Sequence, residues 1–380
     1  MSEIIIKGTY ADAKVLTVND ESRAVEQYAL AQIGMLCDNP ASEGSKIRVM
    51  PDVHPGKVGT IGLTMTVGKR ILPEVVGIDL GCGITIAEFK GFKKEFQAVD
   101  KVIADRIPSG TAVRKEPHPM AEEFEYDRLF CYKSLKLPYI MRSMGSLGSG
   151  NHFIEIDRSE DGTCYLMIHS GSRHLGKEVT EYYLKEGQKN LKEQGIIVPY
   201  ELTYLEEDLM EQYLHDVEIV QKYAAQSREI MLQEICKGMK WKIIDNFSSV
   251  HNYVERLADG VHIIRKGAIS AQTGEKVIIP INMRDGAIIG IGKGNPDWNY
   301  SAPHGSGRLM KREDVKNRYT VSQFKAEMKG IYSSCIGKDT LDESAFAYRS
   351  MEDIREAIVD TVEIREIIRP IYNYKAGGKE

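Results

Sequence analysis

No run of this sequence is apolar for long enough to cross a bilayer, and no two cysteines stand in a CxxC arrangement. The first absence argues against a helical membrane protein. The second leaves the six cysteines, Cys37, Cys82, Cys131, Cys164, Cys236 and Cys335, as reduced thiols in a chain of 380 residues, whose large core needs no staples. An excess of positive charge is missing too. A formal net charge of −5 excludes coating nucleic acid by bulk electrostatics, although a local basic groove stays open. The opening MSEIIIKGTYADAKVL has neither the apolar block nor the small-residue cleavage pattern of a signal peptide, so a cytoplasmic protein with no membrane partner is expected. Internal repeats and low-complexity linkers are also absent. The expected architecture is one large α+β domain over residues 1–380, with central β-sheets flanked by helices and a long helical insertion at about 177–240.

What the chain does have is a set of apolar runs ending in glycine-rich turns. VVGIDLGCG, residues 75–83, reads as a short buried strand that delivers Asp79 and Cys82 just past its end. KIRVMPDVHPGKVGTIGLTMTV reads as two strands around a Pro/Gly loop carrying Asp52 and His54. GSLGSGNHFIEI and CYLMIHSGSRHLG repeat the pattern, and VHIIRKGAIS, KVIIPINM and AIIGIGKG read as further strands. Apolar spacing of three and four residues predicts helices in AVEQYALAQIGMLC and EVTEYYLKEGQKNLKEQ. The same spacing predicts one long helix with Leu205, Leu209, Leu214, Val217, Val220 and Ala224 near its buried stripe. Two more helical patterns are read in the tail, DVKNRYTVSQFKAEMKGIY and MEDIREAIVDTVEIREIIRPIYNY.

Five of the nine histidines, His54, His152, His169, His251 and His304, sit beside Gly, Asn or Pro where apolar runs end. Any one alone is adequately read as a hydrogen-bonded loop residue. Together with Asp79 and Cys82 they form a donor set too soft for calcium and too rich in nitrogen for magnesium alone, which leaves zinc, manganese, iron or cobalt. A thiolate can bridge two ions, so a binuclear site is physically reasonable. GSLGSGNH offers consecutive backbone N–H groups to an anion. It lacks the Lys-Ser/Thr ending of a P-loop and leads into a strand, against a dinucleotide fingerprint. Arg173 and Arg308 each follow a histidine by four residues in a Ser/Gly-rich loop, and Arg is the natural fork for phosphate oxygens.

Taken together, MPDVHPGK (50–57), VVGIDLGCG (75–83), GSLGSGNHFIE (145–155), HSGSR (169–173), HNY (251–253), RKGA (265–268), APHGSGR (302–308) and Lys375 resemble the RtcB family of RNA-splicing and RNA-repair ligases. The blocks occur in family order over nearly the whole chain. The resemblance implies a GTP- and manganese-dependent ligase joining an RNA 3′-phosphate or 2′,3′-cyclic phosphate end to a 5′-hydroxyl end, through a guanylylated His304. By position, Cys82 would bridge two Mn2+ ions, His169 and His251 would complete one coordination set, and Asp79 and His152 the other. Asn151, Glu155, Tyr348 and Lys375 would hold the guanylate, Tyr348 by stacking, with Gly305, Ser306 and Gly307 lining the same site. Asp52, Arg173 and Arg308 would join His304 as catalytic positions serving the RNA phosphates or the metal shell.

The chain departs from the family pattern at His174, where a small glycine is expected, and at Asn282, Met283 and Arg284, where a Gly-Ser-Met-Gly turn is expected near the nucleotide. These departures imply a divergent subgroup, and with it a release-factor-like protein partner. The alternative is a metal-dependent RNA terminal phosphatase or cyclic phosphodiesterase that uses the same metals without ligation. A non-catalytic RNA-binding module is disfavoured by the net acidity and the full ligand set.

Overall fold

The β-branched runs do form strands, and in the structure, a computed structural model that describes residues 2–17 and 25–376, they sort into two large sheets. The first has six strands in the order Ser2–Ile6, Ala13–Thr17, Ile47–Pro55, Thr60–Thr66, His262–Lys266, Asn252–Arg256. The second has seven, in the order Lys242–Val250, Gly83–Lys90, Cys164–Ser170, Phe153–Arg158, Val362–Lys375, Gly286–Gly292, Lys276–Asn282, and every neighbouring pair is antiparallel. With the helices described below, this is the α+β architecture expected.

Side chains of a strand alternate between the two faces of its sheet, and that alternation builds the site. In Phe153–Arg158 and Cys164–Ser170, Ile154, Ile156, Leu166 and Ile168 share a buried cluster with Met231, Leu232, Ile235 and Cys236 of the helix Glu207–Met239. Phe153, Glu155, Met167 and His169 take the other face. Helix packing thus anchors one side of the sheet and leaves the opposite side to carry chemistry. Truncating Ile235, which is wholly buried, to Ala would cost about 2–5 kcal/mol. The first half of the same helix, through Tyr213, Leu214, Val217, Val220 and Tyr223, joins a second cluster with Ile47, Val49, Leu63 and Met65 of the six-stranded sheet. One helix therefore braces both sheets.

The helical region at 177–240 consists of two helices, Arg173–Glu193 and Glu207–Met239, joined by a connection that includes the short strand Leu205–Glu206. Leu205 is buried but precedes the helix, while Leu214, Val217, Val220 and Ala224 do lie on its buried side. The early helix is Gln27–Cys37; Ala24, where its pattern began, lies outside the described residues. No helix among the described residues is long and apolar enough to cross a membrane.

Three expectations are corrected. Val75 and Val76 end a helical turn, Pro73–Val76, and are not strand residues; Pro73 is suited to the first helical position, and Gly77 closes the turn at φ +100°. Asp52 and His54 lie within the strand Ile47–Pro55, where the register shifts between Val49 and His54, so the loop between the two strands is confined to 56–59. The last helical pattern is helical only over Met351–Ala357, capped reciprocally by Ser350 and Asp353. Its remainder is the strand Val362–Lys375 in the middle of the seven-stranded sheet. Pro370 explains this: a helix interior would lose a hydrogen bond there, at roughly 3 kcal/mol, whereas the sheet absorbs it with a register shift between Pro370 and Tyr372.

Candidate active site

Asp79 and Cys82 come from the turn between Pro73–Val76 and the strand Gly83–Lys90. Gly81 stands at φ +73°, and a Cβ there would approach Ala224 Cβ to 2.8 Å, so the turn sits directly on the long helix. Asp79 Oδ1 accepts the Ser172 backbone N–H at 3.0 Å. Behind the turn the buried Arg228 donates to the carbonyls of Gly81 and Ser170, each at 2.8 Å, and to Thr85. One guanidinium thereby fixes both chain segments that deliver ligands.

His152, His169 and His251 converge on Cys82 from three other segments. Cys82 Sγ lies 3.5 Å from His152 Nε2 and 3.3 Å from His169 Nε2. His152 Nε2 lies 3.2 Å from Asp79 Oδ2, and His169 Nε2 lies 3.2 Å from His251 Nε2. The Nδ1–H groups of His152 and His169 donate to the carbonyls of Leu147 and Asn151, which leaves each Nε2 with its lone pair toward the sulfur. Burial and the neighbouring imidazoles hold His169 and His251 well below the ordinary histidine range, in the neutral form a metal needs. Burial, with Asp79 next, pushes the Cys82 thiol well up. Burial also raises Asp79, but the His152 contact, Cys82 and Arg173 outweigh it and hold the carboxyl at about 2. Imidazole lone pairs, a thiol and a carboxylate oxygen facing one another at this range fit a divalent cation; Cys82, His152 and His169 present one ligand atom each within 4.8 Å.

His304 lies at the edge of this cluster, its ring 4.8 Å from that of His251. Asp52 Oδ2 accepts both the His304 Nδ1–H at 2.6 Å and its backbone N–H at 3.1 Å. Asp52 is 0% exposed and the His304 side chain 17% exposed, so the carboxylate acts from beneath while the ring reaches the cleft. The arrangement fixes the tautomer with Nε2 unprotonated, which makes that atom a nucleophile.

From His304 a cleft of about 840 Å³, its open mouth included, extends along the face of the seven-stranded sheet that carries Phe153, Glu155 and His169. Asn151, Glu155, Gly305, Ser306, Gly307, Arg308, Tyr348 and Lys375 all line it, so the expected guanylate residues are brought together. Asn282 and Met283 line it as well, which places the first departing loop at the cleft. Arg284 turns away into ion pairs with Asp285 and Glu327. His174 stands in the first turn of its helix against Tyr139 and Glu178.

At the far wall of the cleft, Glu343 is a hub absent from the sequence reading. It is 3% exposed and accepts from Lys375 Nζ at 2.9 Å, Tyr348 Oη at 2.5 Å and Arg308, while Arg312 approaches to 2.6 Å. Burial raises its pKa, but Lys375, Arg312 and Arg308 together outweigh that and hold it at about 2. Arg308 also donates to the Tyr348 hydroxyl at 3.0 Å and to the Asp342 carbonyl at 2.6 Å, with its guanidinium 5.0 Å from the Tyr348 ring centre. Arg173 is not among the residues lining the cleft; it donates to Gly110 O and Ser146 Oγ, beside Asp79. The RKGA block is structural. Buried Arg265 ties Tyr253, Glu255 and Ser301 together, and Lys266 donates to the carbonyls of Val58 and Glu74.

Sequence reasoning missed Glu343, Arg312 and Asn373. Glu343 carried no spacing signal, since its cationic partners Arg308, Arg312 and Lys375 come from 31 to 35 residues away on both sides. Asn373 was recoverable: it alternates with Lys375 on one strand face, which the helical reading of that segment concealed.

A family model described as tRNA-splicing ligase RtcB matches residues 42–133 and 132–376 of the chain. The chain is 28% identical over 364 residues to the RNA-splicing ligase RtcB of Escherichia coli (strain K12), covering 86% of this chain and 88% of that protein. It is 26% identical over 393 residues to an Escherichia coli RNA-splicing ligase RtcB2, covering 96% and 97%. To the tRNA-splicing ligase RtcB of Aeropyrum pernix it is 27% identical over 399 residues, covering 81% and 83%.

Proposed function

The chain belongs to the RtcB family, and from that premise we propose that it joins RNA 3′-phosphate or 2′,3′-cyclic phosphate ends to 5′-hydroxyl ends with GTP and manganese, in RNA repair or tRNA splicing. The observation that carries this reading is His304, held by Asp52 with its Nε2 free, between a buried metal-type cluster and a cleft lined by Glu155, Tyr348 and Lys375. A metal-dependent terminal phosphatase, in which the ions activate water, needs no such nucleophile.

In this reading the His304 Nε2 lone pair attacks the α-phosphorus of GTP, forms a P–N bond and expels pyrophosphate. Asp52 keeps Nδ1 protonated and stabilises the charge that the ring acquires. Where the end is a 2′,3′-cyclic phosphate, water first opens the P–O2′ bond to give the 3′-phosphate; an oxygen of that 3′-phosphate then attacks the same phosphorus, the P–N bond breaks, and the imidazole is restored. The 5′-hydroxyl oxygen finally attacks the 3′-phosphorus, releasing GMP and leaving a phosphodiester. Held by Asp79, Cys82, His152, His169 and His251, divalent ions would neutralise charge on the phosphates. Glu155 and Lys375 orient the base, Tyr348 offers a ring against it, and Arg308 and Arg173 would serve the RNA phosphates or the metal shell. A release-factor-like protein partner belongs to the same proposal, and copurification of the two proteins tests it.

Incubation with radiolabelled GTP and manganese is expected to give a covalent, acid-labile GMP adduct that His304→Ala abolishes. Metal-loaded protein that forms no adduct, or that only strips or opens terminal phosphates without joining the strands, refutes the ligase reading.

A further inference from the structure

Asp157 has no place in the chemistry above, yet it is 0% exposed and neither of its carboxyl oxygens accepts a hydrogen bond from any donor. As an ion it would leave two bare oxygens in the sheet, at a cost of several kcal/mol, roughly, whereas a neutral carboxyl can donate. Glu155, two residues earlier on the same face of the strand, lies within hydrogen-bonding reach of it. Two carboxylates so close cannot both ionise. Burial drives both groups upward, Asp157 further, while Lys375 favours the charged form of Glu155. The shared proton therefore resides on Asp157.

Asn373 completes the arrangement. It stands opposite Glu155 in register on Val362–Lys375, is 1% exposed, and its side-chain amide donates to Glu155 Oε2. Among the described residues no other donor is bonded to the pair. On the adjoining strand Tyr165 stands opposite Asp157 with its hydroxyl committed to Glu366, Met167 opposite Glu155, and His169 opposite Phe153. Lys375, opposite Phe153, is bound to Glu343.

We propose that Asp157 and Asn373 are positioning residues for Glu155, fixing it from behind as a singly charged acceptor for the donor edge of a guanine base. The inference rests on the guanine-nucleotide reading above. Guanine offers adjacent N1–H and N2–H donors, which a carboxylate with free acceptor sites can take together; adenine offers no donor at N1. Each of the two neighbours contributes one donor that favours the charged form of Glu155.

The test is calorimetric binding of guanosine, whose base does not titrate between about pH 5.5 and 8.5. Wild-type affinity is expected to fall on the acid side as Glu155 takes up a proton. Asp157→Leu and Asn373→Leu each remove a donor, so the midpoint of that fall should move up by about one pH unit, with affinity reduced up to about tenfold below it. Asp157→Asn keeps an N–H donor and should leave the midpoint in place. An unshifted midpoint in both leucine variants, an equal loss of affinity at every pH, or an Asp157→Asn shift as large as that of Asp157→Leu would overturn the proposal. If Asp157→Leu does not fold, Asn373→Leu carries the comparison, with thermal unfolding as the control. Wild-type protein that binds no guanosine, or binds adenosine equally well, refutes the guanine reading itself. Guanosine binding with unshifted variants refutes only the roles of Asp157 and Asn373.

Discussion

Asp52→Asn is the most direct probe of the proposed nucleophile. In the native arrangement one buried oxygen accepts both the ring Nδ1–H at 2.6 Å and the backbone N–H of His304 at 3.1 Å. The amide keeps the shape but offers one acceptor and one donor in place of two acceptors. If its NH2 group faces the ring, Nδ1 must become the acceptor, the proton moves to Nε2, and the nucleophilic lone pair is lost. If its oxygen faces the ring, the tautomer survives but the developing imidazolium loses its counter-charge. An Asp→Asn change in the comparable Ser-His-Asp arrangement costs about 10⁴-fold. Because both outcomes are open to the amide, the expected loss is about 10³- to 10⁴-fold in the rate of adduct formation, equivalent to roughly 4–5.5 kcal/mol of barrier. The assay is single-turnover transfer of label from GTP to protein at saturating manganese. Thermal unfolding run alongside checks that the variant is folded. A rate within about tenfold of wild type, in a folded and metal-loaded variant, would refute the role given to Asp52.

Glu343→Gln should destabilise the protein and impair nucleotide binding together, because it removes the charge that Lys375, Arg308 and Arg312 share. The drop of the carboxyl from 4.5 to about 2 corresponds to about 3 kcal/mol at neutral pH. A group lowered on folding stabilises above its unfolded value and loses that contribution as pH falls through the folded one. The gap between wild type and variant, measured by urea unfolding, should therefore be full above about pH 4.5 and close toward pH 2; a pH-independent gap contradicts the electrostatic account. Cys82→Ala should lower the manganese retained after gel filtration, measured by elemental analysis, with the secondary structure intact; unchanged metal content would remove Cys82 from the ligand set. Gly171→Ala places a Cβ 2.1 Å from Asp79 Oδ1, so it should displace that carboxylate, weaken metal retention and cost about 1–3 kcal/mol. A fully stable variant with normal metal content would show that the turn can relax.

Much of this site was legible because its chemistry sits in short motifs. Asp79 and Cys82 share one turn, His304 leads HGSGR, and each histidine of the cluster sits at one end of an apolar run, so type and spacing were enough to nominate them. Apolar runs bounded by Gly, Pro and Asn identified most strands, and three-four spacing found the long helix with four of its six stripe residues placed correctly. The misreadings share one cause. VVGID, the Asp52–His54 segment and the 362–375 tail are short apolar stretches whose conformation depends on neighbours far along the chain. In the tail, Ile364, Ile367, Ile368 and Ile371 satisfy a helical spacing as well as a strand, and pairing with Phe153–Arg158 and Gly286–Gly292 decided between them.

The sequence by itself determined which atoms were available: a thiol, neutral-capable imidazoles, carboxylates and forked cations, in the motif order of one family. Tertiary structure alone decided what each was for. It turned Asp52 toward His304, committed Arg308 to Glu343 and Tyr348, and set Asp157 and Asn373 behind Glu155. Hydrogen bonds and desolvation act over a few ångströms between residues as far apart in the chain as Asp52 and His304, 252 positions, and no local pattern records them.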